Sequence, residues 1–258
     1  MFYYPFSPIN PAYLLTQQLK ENTLILDFKY GDVTGDGVFD IVYLIGEKNF
    51  GEESSFIENI RLVIIDGATY FVEMISFESD GGYNPRLFLG DFTGNKVDDI
   101  LISIFSGGSG GMSWYYIFSY LNNKVKKLFD YEVYNNEYKY QVNYQDNYKV
   151  EVISENLMKK YIIDIQDKGE EYLSKLYDEN GKLKEPIQGY VNPLSGLYPI
   201  DYNGDRVYEL FTLRRVIGLY NADSLGVVQT SLQWKERDFQ PWFEYLAVYG
   251  SDIKEKRI

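Results

Sequence analysis

The chain has 258 residues, 45 % hydrophobic and 24 % charged, which is enough apolar material for a sizeable core and too much for a disordered polymer. With no Cys and no His it cannot build Cys/His zinc sites, disulfides, or Ser-His-Asp and Cys-His catalytic groups. A net charge of −13 argues against nucleic acid as a partner and suits solubility or cation binding.

The N-terminus, "MFYYPFSPINPAYLL", has no basic n-region and is broken by Pro5, Pro8 and Pro11, so no signal peptide is visible. "AYLLTQQLK" (Ala12–Lys20) reads as a short helix. From there the pattern turns to β. "LILDF" (Leu24–Phe28) leads into "GDVTGDGVFD", and "FDIVYLIG" (Phe39–Gly46) leads out of it. "IRLVIIDGATYFVEMISF" (Ile60–Phe77) is two apolar runs around Asp66-Gly67, a hairpin signal. "GDFTGNKVDD" follows, then the strand "DDILISIF" and the glycine-rich turn "GGSGG" (Gly107–Gly111). That turn matches G-x-S-x-G in letters, but a nucleophilic serine needs a histidine partner that this chain lacks. "WYYIFSYLNNKVKKLFDYEV" (Trp114–Val133) reads as a hairpin turning at Asn122-Asn123. "YQVNY", "YKVEVIS" and "KKYIIDI" continue the strands, "GEEYLSKLYDEN" reads as helical, and Lys168 to Leu194 carries the weakest pattern. "IDYNGDRVYELFTL", "LGVVQTSLQW" (Leu225–Trp234) and "WFEYLAVYG" (Trp242–Gly250) are the last strand-rich stretches, before the basic tail "KEKRI" (Lys254–Ile258). No apolar run is long enough to span a membrane.

Three stretches repeat one another. They begin at Gly31, Gly90 and Ile200, and each places Asp first, Thr or Asn third, Gly fourth, Asp or Asn fifth and an acid ninth before an apolar run. A fourth, eroded copy at "VNYQDNYKVEVISE" keeps Asn143, Asn147 and Glu151. First positions at 32, 91, 143 and 201 give gaps of 59, 52 and 58 residues, the size range of a propeller blade. With about four strands per gap, the expectation is an all-β fold: one repeat-built domain over 1–258, a small β-propeller or open propeller-like array of about four four-stranded blades at 24–77, 86–131, 138–176 and 196–248.

Carboxylates packed this closely repel, and a tight turn lets side chains one, three, five and nine and carbonyl seven converge. That is the oxygen-ligand pattern of calcium. The twelfth residues, Tyr43, Ile102 and Thr212, rule out an EF-hand. A D-x-[DNT]-G-[DN]-x-x-x-[DE] loop between strands, repeated at this spacing, resembles the integrin-type FG-GAP or VCBS repeat, and more narrowly VCBS-repeat proteins of spore-forming low-GC bacteria. That resemblance implies propeller blades and calcium held by Asp32, Thr34, Asp36, the Val38 carbonyl and Asp40. The second set is Asp91, Thr93, Asn95, the Val97 carbonyl and Asp99, and the third is Asp201, Asn203, Asp205, the Val207 carbonyl and Glu209. Charge ranks the second loop weakest, since it has two acids and Lys96 beside them. The usual sixth-place Gly survives only as Gly37.

Of the chain's 26 Tyr and 16 Phe, most suit sheet packing. "MSWYYIFSY" and "FQPWFEY" offer a candidate binding face through Trp114, Tyr115, Trp242 and Tyr245. The functional expectation is a non-enzymatic, calcium-stabilised structural or interaction protein with a protein partner or homo-assembly, and the resemblance to those bacterial repeat proteins implies a spore or cell surface as its setting. The alternative is a lectin-like glycan binder.

Overall fold

The computed structural model describes residues 22–51 and 53–251. The expected helix Ala12–Lys20 and the basic tail lie outside them. The fold is all-β, as expected. Among the described residues no helix is long and apolar enough to cross a membrane.

Among the described residues sixteen strands form three sheets, of orders β1-β2-β3-β4, β5-β6-β7-β8, and an eight-stranded β11-β10-β9-β12-β14-β15-β16 with β13 paired to β14. The eight-stranded sheet is nearly closed and barrel-like, with no division into two four-stranded blades. The chain divides into two compact units. One runs to Phe105 and takes in Phe118–Lys126; the other holds Ser106–Ile117 and the described residues from Lys127 onward.

In the first unit, β1 (Thr23–Gly31), β2 (Asp40–Glu47), β3 (Glu58–Ile65) and β4 (Val72–Ile75) pair as an antiparallel meander. The runs "IVYLI" and "LVII" do not alternate because both faces of β2 and β3 are buried: Val42, Leu44, Leu62 and Ile64 on one side, Tyr43, Ile45, Val63 and Ile65 on the other. The turn at Asp66-Gly67 is where the hairpin signal put it. The Asp66 carboxylate accepts from Ala68 N and Thr69 N, closing an Asx turn. Gly67 is required there, because a Cβ would lie 2.1 Å from the Phe39 carbonyl oxygen. β5 (Tyr83–Gly90) and β6 (Asp99–Phe105) flank the second loop.

β7 (Ser113–Ser119) and β8 (Lys126–Asp130) meet around the expected turn, where Asn122 and Asn123 take the left-handed conformation that asparagine tolerates. The strand expected to reach Val133 stops at Asp130 instead. Its carboxylate accepts from Glu132 N at 2.9 Å and caps a helix over Tyr131–Glu137. The eroded fourth copy is a plain hairpin: β9 (Tyr140–Gln145) and β10 (Lys149–Ser154) place Asn143 opposite Glu151, and Asn147 and Tyr148 turn at positive φ.

β11 (Lys159–Asp164) is one edge of the large sheet. A helix over Glu170–Leu176 follows, as "GEEYLSKLYDEN" predicts. The sheet then continues through β12 (Gln188–Val191), β13 (Gly196–Ile200), β14 (Glu209–Ile217), β15 (Ser224–Lys235) and β16 (Asp238–Val248). Its inner face packs Val142, Tyr144, Val150, Val152, Leu225 and Val228. The edges β11 and β16 are joined by side chain: Tyr161 Oη donates to the Glu244 carbonyl at 3.1 Å.

Candidate functional site

The three repeated loops share one backbone geometry. Their fourth residues, Gly35, Gly94 and Gly204, sit at positive φ, and so do their sixth, Gly37, Lys96 and Arg206. The sixth-place conformation therefore outlives the loss of glycine in two loops. The first Asp of each loop accepts from the fourth and sixth amides: Asp32 from Gly35 and Gly37, Asp91 from Gly94 and Lys96, Asp201 from Gly204 and Arg206. The fifth side chain accepts from the seventh amide, as Asp36 from Val38, Asn95 from Val97 and Asp205 from Val207. Backbone N–H groups thus offset much of the carboxylate repulsion that the sequence raises.

The ninth acids differ. Asp40 is fully buried; its Oδ2 accepts from Val33 N and Thr34 N at 2.8 and 3.0 Å, and its Oδ1 from Gly67 N at 2.9 Å. Asp99 is 1 % exposed; its Oδ2 accepts from Phe92 N at 3.1 Å, while its Oδ1 and the Thr93 hydroxyl are buried without a partner. Glu209 accepts from Tyr202 N, and Asn203 donates to Asp205. Among the described residues no group of three acidic side chains lies close enough to hold a metal ion.

Tertiary structure adds Asp98, which the motif passed over. Asp98 N donates to the Asp32 carbonyl at 3.0 Å, so the first and second loops lie side by side. Burial, with Asp32 and Asp91 nearby, raises the Asp98 pKa. Burial pushes Asp99 further, to about 7, against the lowering effect of its hydrogen bonds.

The aromatic candidates separate. Tyr115 is buried, and the half-buried Trp114 rests on Tyr131 with ring centroids 4.8 Å apart, so this pair packs largely within the fold. Trp242 and Tyr245 are 50 % and 60 % exposed. They are linked through Phe243, at 5.2 and 5.3 Å, and Tyr202 of the third loop stands 5.8 Å from Trp242. The reading by composition missed Tyr202 and Phe243. The clue was available in Tyr202's place as second residue of a repeated loop, but the pairing needs the fold.

The large sheet also encloses a polar network that no motif announced. Glu244, 2 % exposed, accepts from the Tyr140, Tyr161 and Thr230 hydroxyls. Arg214, 5 % exposed, donates to the Asn192 and Tyr138 carbonyls, and its guanidinium lies 5.1 Å from the Tyr140 ring centroid. Burial lowers the Arg214 pKa, while Tyr134, Tyr140 and Glu244 act to hold its charge.

Residues 138–247, almost the whole of this sheet, match the family model of the YybI C-terminal domain. The chain is also 45 % identical over 252 residues to YybI of Bacillus subtilis (strain 168), covering 98 % of this chain and 95 % of that protein. The chain belongs to the YybI family. This corrects the likeness to FG-GAP or VCBS repeats, since both matches are to YybI and nothing indicates those repeats. The physical reason lies in the motif itself. Asp, Gly and Asp or Asn at these spacings specify an Asx-closed turn feeding a strand, and such a turn can arise outside a propeller blade. In this YybI-family chain the eroded fourth copy, which completed the apparent period, is a hairpin.

Proposed function

We propose that the chain is a non-enzymatic interaction protein that contacts a protein partner, or a second copy of itself, through the aromatic row on β16. The observation that carries this reading is the contiguous row Tyr202, Trp242, Phe243 and Tyr245, on an edge strand, with Trp242 and Tyr245 half or more exposed. Large aromatics at a protein surface supply contact area at low entropic cost and anchor interfaces.

Sedimentation velocity over a wide concentration range is expected to show self-association. The double variant Trp242→Ala/Tyr245→Ala is expected to weaken it by about ten-fold or more while leaving the melting temperature nearly unchanged. A glycan array run on both proteins separates the lectin-like alternative: a saccharide retained by the parent and lost in the variant would favour it. No association would overturn the contact with a second copy, and no retained glycan would overturn the lectin-like alternative.

Calcium enters this proposal at the second loop, in reverse of the ranking by charge. The buried, unpartnered Thr93 hydroxyl and Asp99 Oδ1 are spare acceptors at two of the proposed ligand positions, whereas Asp40 is already filled by three amides. Asp91, Thr93, Asn95, the Val97 carbonyl and Asp99 would supply the oxygens. Excess calcium is expected to raise the melting temperature above that in EDTA, and Asp99→Asn to abolish the rise. An unchanged melting point with no bound metal would make all three loops purely hydrogen-bonded turns.

A further inference from the structure

A cavity of about 240 Å³ opens beside the helix Tyr131–Glu137, away from the repeated loops. Its walls are aromatic: Phe129, Tyr134, Tyr138 and Phe239. The rings support one another, with Tyr134 4.6 Å from Tyr138, Phe129 6.0 Å from Phe239, and Trp234 backing Phe239 at 5.1 Å. Three carboxylates, Asp130, Glu137 and Asp238, and one cation, Lys127, line the same cavity. Asp130 is spoken for, since it caps the helix and pairs with Lys127 at 2.6 Å. Among the described residues neither Glu137 nor Asp238 forms an ion pair, and both are exposed. Both bear on the Tyr138 hydroxyl, whose pKa is raised by burial first and by these two carboxylates among its neighbours.

We propose that this cavity is a receptor for an alkylammonium group, the lysine side chain of a partner protein. Aromatic faces attract a cation through the ring quadrupole, and the unpaired Glu137 and Asp238 complete the charge complement. A neutral apolar side chain would leave both carboxylates at the mouth uncompensated. The volume points to a side chain: it lies below the roughly 300–1,000 Å³ usual for sites that take whole small molecules, yet gives room for a four-carbon stem and its ammonium. A long flexible lysine can lay its stem along the rings and present its charge at the rim. Arg214 already lies against one of the wall rings in this way, at 6.0 Å from the Tyr134 centroid. The site is distinct from the β16 aromatic row and does not depend on it.

The test is an NMR titration of the full chain with Nα-acetyl-lysine methylamide, set against the same compound acetylated at Nε, which keeps the stem and removes the charge. The charged compound is expected to shift the amides of Tyr138 and Phe239 with an affinity on the order of millimolar, at least about ten-fold tighter than the neutral one. The surface variant Glu137→Gln/Asp238→Asn removes the rim charge without touching the aromatic walls, and is expected to lower the preference for charge by about three-fold or more, the remainder being the attraction of the rings. Equal binding of charged and neutral compounds to the parent would overturn the assignment. So would a preference for charge that the variant leaves undiminished, or shifts that avoid the cavity.

Discussion

Replacing Asp40 by Ala is expected to destabilise the protein by about 3 kcal/mol or more, because two buried amides and one half-buried amide lose their acceptor at once. Asp40 ties its own loop, through Val33 N and Thr34 N, to the neighbouring hairpin, through Gly67 N. Water cannot replace it easily, since Asp40 is fully buried and Val33 and Thr34 are buried beside it. Asp40→Asn should fare little better. An amide turns one NH₂ group toward donors, so it cannot accept on both sides as the carboxylate does. Asp36→Ala is the control. That side chain is exposed and accepts from one amide, Val38 N, so its loss should cost about 1 kcal/mol. Urea unfolding followed by far-ultraviolet circular dichroism measures all three. A large cost at Asp40 and a small one at Asp36 mark the first loop as closed by hydrogen bonds. Equal large costs, relieved by calcium in the parent alone, would mark it as closed by a cation.

The second large effect is expected inside the eight-stranded sheet. Glu244→Leu or Arg214→Leu should each cost about 3–5 kcal/mol, since either leaves a buried charge without its compensation. The two do not touch directly. Tyr140 joins them, donating its hydroxyl to Glu244 while its ring lies beneath the Arg214 guanidinium. A double-mutant cycle should therefore return a coupling of about 1–3 kcal/mol, with the double variant less damaged than the sum of the singles. Tryptophan fluorescence is a suitable probe, because Trp114, Trp234 and Trp242 all belong to the unit that contains this network. Additive costs would mean that Arg214 and Glu244 are satisfied separately, Arg214 by the Asn192 and Tyr138 carbonyls and Glu244 by its three hydroxyl donors.

Both effects arise from acids whose roles are set by what packs over them. Asp40 and Asp99 occupy the same place in the repeated pattern. Asp40 meets a hairpin amide from Gly67 on its second oxygen, and Asp99 leaves its second oxygen unpartnered. No local rule distinguishes them.

Much of the β architecture follows from the order of residues alone. Continuous apolar runs bounded by Asp, Asn and Gly turns placed the strands around Asp66-Gly67 and Asn122-Asn123, because a turn needs particular φ values and a buried strand needs apolar faces, and both are local demands. The loop chemistry was equally local: a first-place Asp and a fourth-place Gly close the same turn three times. Sheet membership was not local. Strand pairing is settled by which edges meet, so the apparent fifty-five-residue period could not tell separate blades from the eight strands that form one sheet. The helix at Tyr131–Glu137 was hidden by the aromatic run that precedes it, although Asp130 carried a cap signal. Tertiary packing alone buried Tyr115, left Trp242 and Tyr245 exposed, set Asp98 beside the first loop, and brought Arg214 to Tyr140 and Glu244 across the sheet. Burial and long-range electrostatics depend on neighbours far away in the chain, and a sequence pattern carries no record of those neighbours.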